Sequence, residues 1–392
     1  MSHILQLTIL RYPEIQGGVD AMVVNLVTHL KQRHQVSVFV PGNWDQKRLS
    51  CREVDGVPVY SIRLRMPFGS RRPVAAFFGW LLEFPRTLLT LRRLVREKKV
   101  DLIHAHVGKD YQVYLRVLHW LGGPPYLITL HRGDVVDFPS LSKPSQWFLR
   151  FALRGAARVN AVSRWLARDA ERLFPNLSPV TWIYNGLELP DPRILCAAPA
   201  TPGADPVPRR YAIMVGSFDQ YKGHDIAFRA WDQLPQSLGE LHLLVVGDGE
   251  LRSQYVALIA QLECKKRILL LGQITHKDVL RLMHGALAMV FPSRSEGFAY
   301  ALLEAGAVGI PVLCTDIPAF TEIITDGING LIVPADNPTA LAAAVAHLAC
   351  DPQLCARLGQ QLQQQIHTRF TAEVMTREYE KLYTICLEGT RR

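Results

Sequence analysis

LAMVFPSRSEGFAYALLEAGAVGIPVLC, residues 287–314, reads as a strand, a loop, a helix and a second strand. Leu287–Phe291 is a short apolar run closed by Pro292 and Ser293, and Val312–Cys314 starts a new run after the intervening helix. A strand, a crossover helix and a strand predict a parallel sheet, and such sheets take ligands beyond the carboxyl ends of their strands. The loop at that end holds Glu296 just before the helix, and Glu304 lies eight residues on, within it. The backbone N–H groups of Gly297, Phe298 and Ala299 lie at the helix start, where a phosphate or a sugar hydroxyl can accept from them. Two carboxylates about two turns apart suit a ligand rich in vicinal hydroxyls. Acidic residues placed for the helix dipole would explain Glu296, but not a Glu304 flanked by small and apolar residues.

The same alternation runs outward from this stretch in both directions. In the first half the strand-like runs are Ile4–Leu10, Gln35–Val40, Val57–Ile62, Asp101–Ala105, Tyr126–Leu130, Val159–Val162 and Thr181–Tyr184. After the break they are Tyr211–Val215, Leu241–Val246, Ile268–Leu271, Leu287–Phe291, Val312–Cys314 and Gly330–Val333. The break itself, PDPRILCAAPATPGADPVPRR, has six prolines and little periodicity. The expected organisation is an N-terminal domain over 1–188, a linker over 189–210, a C-terminal domain over 211–370, and a C-terminal helix over 371–392 packing back toward the N-terminal domain. Both domains are read as α/β, doubly wound.

Several loops after predicted strands carry chemistry-bearing residues. Gly17 and Gly18 follow the first strand and precede a helix with Met22, Val23, Leu26, Val27 and Leu30 on one face. Paired glycines there let the backbone approach an anionic ligand at a helix start; a tight turn is the alternative. Lys222, beside Gly223, follows Tyr211–Val215 by a short loop, so its ammonium can reach a diphosphate. His131 ends a strand and opens the polar cluster Arg132, Gly133 and Asp134.

The E-x7-E spacing closely resembles the signature of the retaining nucleotide-sugar glycosyltransferases of family GT4. Other landmarks fall in that family's order: Gly17-Gly18-Val19-Asp20, Leu130-His131, Asn185-Gly186, Val215-Gly216, Lys222-Gly223 and Val246-Gly247-Asp248-Gly249. The resemblance implies the GT-B architecture, two Rossmann-like doubly wound domains facing each other across a cleft, the N-terminal one on the acceptor side. It implies that Gly17 and Gly18 approach the donor diphosphate, that Gly216 and Lys222 bind the donor phosphates, and that Glu304 holds the ribose. It further implies that Glu296, with the amides of Gly297, Phe298 and Ala299, holds the transferred sugar. The residues around Ile274 would face the base, and His131 would lie near the sugar. His131, Lys222 and Glu296 are thus the catalytic candidates. Three departures stand out. Ser217 replaces a common arginine after Gly216, and Ala299 replaces a glycine, while Asp20 stands where glutamate is frequent.

The implied reaction is transfer of a hexosyl group, with retention, from a nucleotide-diphosphate sugar to a lipid-linked or cell-surface glycan acceptor. A nucleotide-sugar epimerase of the same architecture is the alternative. No D-x-D occurs, so no essential metal and no cofactor are expected. A nicotinamide dehydrogenase would show G-x-G-x-x-G after its first strand, which is absent.

Composition agrees with a two-domain globular chain: 392 residues, 48% hydrophobic and 20% charged. The longest unbroken apolar run is Ala75–Leu82, so no membrane-crossing helix is expected, and without a basic n-region a cytoplasmic location is. The seven cysteines are scattered and read as reduced thiols. Residues 1–190 hold 26 Lys and Arg against 14 Asp and Glu, whereas residues 191–392 hold 18 against 21, which concentrates the +9 net charge in the first half. Arg63–Val100 interleaves those charges, among them Arg71, Arg72, Arg92, Arg93, Lys98 and Lys99, with Phe77, Phe78, Trp80, Leu81 and Leu82. This is a candidate peripheral segment for an anionic membrane surface; packing of its apolar side on the sheet is the alternative. Nucleic acid has only charge in its favour and no motif, and is not expected as a partner.

Overall fold

The structure is a computed structural model that describes the chain except residues 9–11, 15–16, 44–45, 47, 67–72, 107–109, 178, 199–206 and 390–392. It divides into two compact units, one of Met1–Gly186 with Ala372–Arg392, the other of Leu187–Thr371.

The first unit is built on eight strands: β1 (His3–Leu7), β2 (Gln35–Pro41), β3 (Ser50–Val54), β4 (Val57–Ile62), β5 (Leu102–His106), β6 (Tyr126–Leu130), β7 (Arg158–Ala161) and β8 (Thr181–Trp182). Their order is β3-β4-β2-β1-β5-β6-β7-β8, parallel except for β3. β1, β5 and β6 are buried along their whole length, polar Gln6, His104, His106 and Thr129 included. β1 ends at Leu7, short of the expected Leu10, which lies outside the described residues. Sequence reading misses β3 because its SCREV is mostly exposed and has no apolar alternation. It pairs antiparallel with β4 through Asp55-Gly56, both at positive φ (49° and 76°), the backbone that a two-residue hairpin turn demands.

The helix Ala372–Glu388 belongs to this unit, where Met375, Tyr379, Leu382, Tyr383 and Cys386 form one stripe against Met22, Val23, Leu26 and Leu30 of the helix Gly18–Leu30. The helix Pro73–Glu97 corrects one expectation. Val74–Glu97 is long and apolar enough to cross a membrane by length and composition, because charges are sparse in its apolar part without forming an unbroken run. It is two-faced. Trp80, Leu88, Leu91, Leu94 and Val95 are buried, while Val74, Phe78, Leu81, Leu82 and Leu89 are at least half exposed, Leu82 at 82%. Arg71 and Arg72 lie outside the described residues.

The second unit has six parallel strands: β9 (Tyr211–Val215), β10 (His242–Val246), β11 (Ile268–Gly272), β12 (Met289–Phe291), β13 (Val312–Thr315) and β14 (Leu331–Val333). Their order β11-β10-β9-β12-β13-β14 is that of a Rossmann sheet, with its reversal point between β9 and β12. Phe218 and Phe228 are completely buried in its core, each contributing about 2–3 kcal/mol. The stretch expected as a linker joins this unit at its start. Leu187 N–H donates to Phe370 O (3.0 Å), and Arg281 Nε donates to Ile194 O (2.9 Å) in the short helix Pro192–Leu195. Residues 199–206 of that stretch lie outside the described residues.

Candidate functional site

The loops after β9 and β12 meet at the reversal point of the second sheet. Gly223 makes this possible: its φ is +71°, and a Cβ there would stand 2.0 Å from Pro292 O. Only glycine lets the two loops approach so closely. Lys222, immediately before it, reaches across and donates from Nζ to Glu296 Oε1 at 2.8 Å. Ser293 Oγ donates to the same oxygen at 2.9 Å, and Thr315 Oγ1 donates to Ser293 O at 2.5 Å. Burial works against the Lys222 ammonium, but the Glu296 carboxylate outweighs it and holds its pKa above the usual value. Gly216 lies beside this lysine, whose stem would be 3.6 Å from a Cβ at that position.

Arg294, which sequence reasoning misses, fastens the two loops together. It donates to both carboxylate oxygens of Asp225 (3.0 and 2.8 Å), to Asp336 Oδ1 (2.6 Å) and to Gln220 O (2.7 Å). Its own backbone N–H donates to Tyr221 O at 2.7 Å. These bonds raise the guanidinium pKa further, while Asp225 is depressed: burial opposes, and Arg294 prevails.

The helix after Glu296 runs Tyr300–Ala307, with Ala299 at its N-cap and no side-chain cap. Ala299 has φ −80°, which any residue adopts, so alanine replaces the family's glycine there without backbone strain. Glu304, 10% exposed at its side chain, accepts from His276 Nε2 at 2.6 Å. That hydrogen bond raises the His276 pKa against the opposing effect of burial. His276 opens the helix His276–His284, just after Ile274 and the N-cap Thr275, in the segment that follows β11. Ser217 is exposed and donates to Asp219 Oδ2 at 2.5 Å, so the position matching the family's arginine carries no cation.

In the first unit, His131 caps the helical turn Arg132–Val135 in a capping box with Asp134, its N–H donating to Asp134 Oδ2 at 2.7 Å. Burial lowers its pKa to about 4, so it is neutral at pH 7, and among the described residues its buried Nε2 has no hydrogen-bond partner. Beneath it lies a polar network absent from the sequence reading. His106 Nε2 meets Gln6 Oε1 (2.8 Å), and Gln6 Nε2 donates to Tyr383 (3.1 Å). His104 bridges the Tyr383 and Thr129 hydroxyls, each at 2.8 Å. The HAH alternation at 104–106 was its only visible trace. Gly17 is the N-cap of the helix Gly18–Leu30, with extended backbone and nothing within 4 Å of where a Cβ would stand. The structure therefore groups Lys222 with Glu296 and Glu304 with His276 in one unit, and His131 with Asp134 in the other, near His106.

All seven cysteines are free thiols. Among the described residues, no group of three or more His, Cys, Asp or Glu could hold a metal ion.

Comparison with known proteins follows this division. Residues 17–186 match the family model described as glycosyl transferase 4-like domain, and residues 203–365 match glycosyl transferases group 1. The chain is 29% identical to the O-antigen chain mannosyltransferase C of Escherichia coli over 387 residues, covering 96% of this chain and 97% of that one. It is 25% identical to the phosphatidyl-myo-inositol mannosyltransferase of Mycolicibacterium smegmatis, with 94% and 90% covered. Among solved structures it resembles Anabaena Alr3699/HepE in complex with UDP, at a TM-score of 0.75 and 18% identity, over 98% of this chain and 100% of that one. These matches give no support to the epimerase alternative. The chain belongs to the group 1 glycosyltransferases of GT4 type, with the GT-B fold.

Proposed function

We propose that this glycosyltransferase moves a hexosyl group from a nucleoside-diphosphate sugar to a lipid-linked or cell-surface glycan acceptor, with retention and without an essential metal. The observation that carries the donor reading is the Lys222–Glu296 pair at the reversal point of a Rossmann sheet. As the glycosidic bond to the diphosphate breaks, negative charge grows on the leaving phosphate. Lys222 is the cation placed to neutralise that charge, and a fixed ammonium at such a point is worth most in the transition state. Glu296 holds the ammonium in place and offers its carboxylate to sugar hydroxyls. Glu304 takes the ribose, and His131, neutral and with an available Nε2, is the first unit's group for a sugar hydroxyl. The bound UDP of Alr3699/HepE supports a nucleoside-diphosphate donor.

The acceptor class rests on two supports. The similar mannosyltransferases are named for O-antigen chain and phosphatidyl-myo-inositol substrates. The exposed apolar stripe of Val74, Phe78, Leu82 and Leu89 runs into Arg93 and Arg96 on the same helix, a pattern suited to an anionic leaflet on the cytoplasmic side.

The test is a thermal shift of the purified protein with UDP, GDP, ADP, CDP and NAD. A ligand at 100 times its dissociation constant adds about 2.7 kcal/mol. A rise with one nucleoside diphosphate is expected, followed by transfer of labelled hexose from the matching donor to membrane lipid extract. A rise with NAD alone would overturn the proposal.

A further inference from the structure

We infer that His276 is a positioning residue for the donor nucleoside, orienting the Glu304 carboxylate so that the site reads a ribose diol. The inference rests on the proposed role of Glu304 toward the ribose and extends it to a residue outside the E-x7-E motif. Glu304 stands within the helix Tyr300–Ala307 among the buried residues Leu302, Leu303, Ala305 and Gly306. A carboxylate so enclosed requires a donor, and a carboxylate with free torsions would not present a fixed edge to two hydroxyls. His276 supplies the donor: Nε2 lies 2.6 Å from Oε1. Among the described residues, Oε2 has no hydrogen-bond partner, which leaves one oxygen and the outer lone pairs of the other for a ligand.

The two partners differ in exposure in the sense this role requires. The Glu304 side chain is 10% exposed and that of His276 is 62% exposed. The histidine is therefore the solvent-facing member of the pair. Its own position is fixed from behind. Thr275 caps its helix, accepting from the Asp278 N–H, and donates to the Asp278 carboxylate at 2.6 Å. Asp278 is held in turn by Arg281 at 2.9 Å, and Arg281 is anchored on Ile194 O. His276 thus ties the segment after β11, where the base is expected near Ile274, to the carboxylate expected at the ribose. A change at this single exposed ring alters the angle of Glu304 without touching Lys222 or Glu296.

The experiment is isothermal titration of the full chain with the nucleoside diphosphate that wild type binds best among UDP, GDP, ADP and CDP, and with its 2′-deoxy counterpart. Wild type, His276→Ala, His276→Gln and Glu304→Gln are compared. The expected result is a ribose preference of tenfold or more in wild type. In His276→Ala the preference collapses toward one through loss of ribonucleotide affinity, with the deoxy ligand within about twofold of wild type. Glutamine, whose amide nitrogen stands in for Nε2, restores most of the preference. An unchanged preference in His276→Ala, or equal weakening of both ligands, overturns the inference. If Glu304→Gln also keeps the full preference, the ribose role of Glu304 falls with it. If Glu304→Gln abolishes the preference and His276→Ala does not, only the role of His276 falls.

Discussion

Truncation of Lys222 separates a diphosphate-binding lysine from a merely structural one. Nζ and Oε1 are 2.8 Å apart, an attraction of about 6 kcal/mol at the effective dielectric of about 20 that suits protein sites. Removing one member of a buried pair typically destabilises by about 3–5 kcal/mol, because the other charge is left in low dielectric. Two features place Lys222→Ala at the lower end. The lysine side chain keeps 21% exposure, and Ser293 still donates to Glu296. A loss of about 3 kcal/mol corresponds to a fall of about 6–12 °C in the melting temperature of a unit of this size. Glu296 raises the lysine pKa, so on the alkaline side the pair's contribution persists through neutral pH and is lost as pH rises through that raised value. Turnover is the independent readout: loss of a group that stabilises developing charge costs about 100- to 1,000-fold in kcat. The assay is release of nucleoside diphosphate from the donor that stabilises wild type, beside a calorimetric scan of the same preparation. A large fall in melting temperature with turnover within a few-fold of wild type would refute the catalytic role and leave a structural ion pair. Melting within 2 °C of wild type would refute the pairing energetics themselves.

Further outcomes follow from the same geometry. Gly223→Ala forces a Cβ into the left-handed region and against Pro292 O; a loss of about 2–4 kcal/mol in urea unfolding is expected, with donor affinity falling alongside. Arg294→Ala unfastens the loops carrying Lys222 and Glu296, so titration calorimetry should show weaker donor binding, and stability should fall by about 1–3 kcal/mol. Since Glu304 raises the His276 pKa, the stabilisation from that pair is complete below the unfolded histidine pKa of about 6.5 and is lost as pH rises through the raised value. The melting difference between wild type and His276→Ala should therefore be largest near about pH 5.5 and fade in alkali, in a series of scans across pH. Replacing exposed Phe78 and Leu82 together by Glu should abolish co-flotation with anionic vesicles while moving stability by no more than about 0.5 kcal/mol.

The parts of this molecule that were legible in its sequence are those where one residue's environment is set by its near neighbours. Strands buried along almost their whole length are rich in apolar residues, so β9 and β6 can be read to the residue; the exposed edge strand β3 left no such trace, and only its Asp55-Gly56 turn announces it. Glu296 and Glu304 are visible because one loop and helix carry both. Their pairings are not, because each partner comes from a distant segment; Lys222 is itself a sequence candidate, but for the donor phosphates and not as the partner of Glu296. Lys222 is 74 residues from Glu296, His276 is 28 from Glu304, and Arg294 reaches back 69 residues to Asp225. An arginine between two serines looks like any solvated arginine until the fold brings those aspartates to it. Yet the meeting of Lys222 with Glu296 follows from topology more than from either side chain. Six parallel strands wound in two directions from the first place the first and fourth side by side, so β12 must lie against β9. Whatever follows those two strands shares the reversal point. Here one loop brings a cation and the other a carboxylate, and a glycine at positive φ lets them touch.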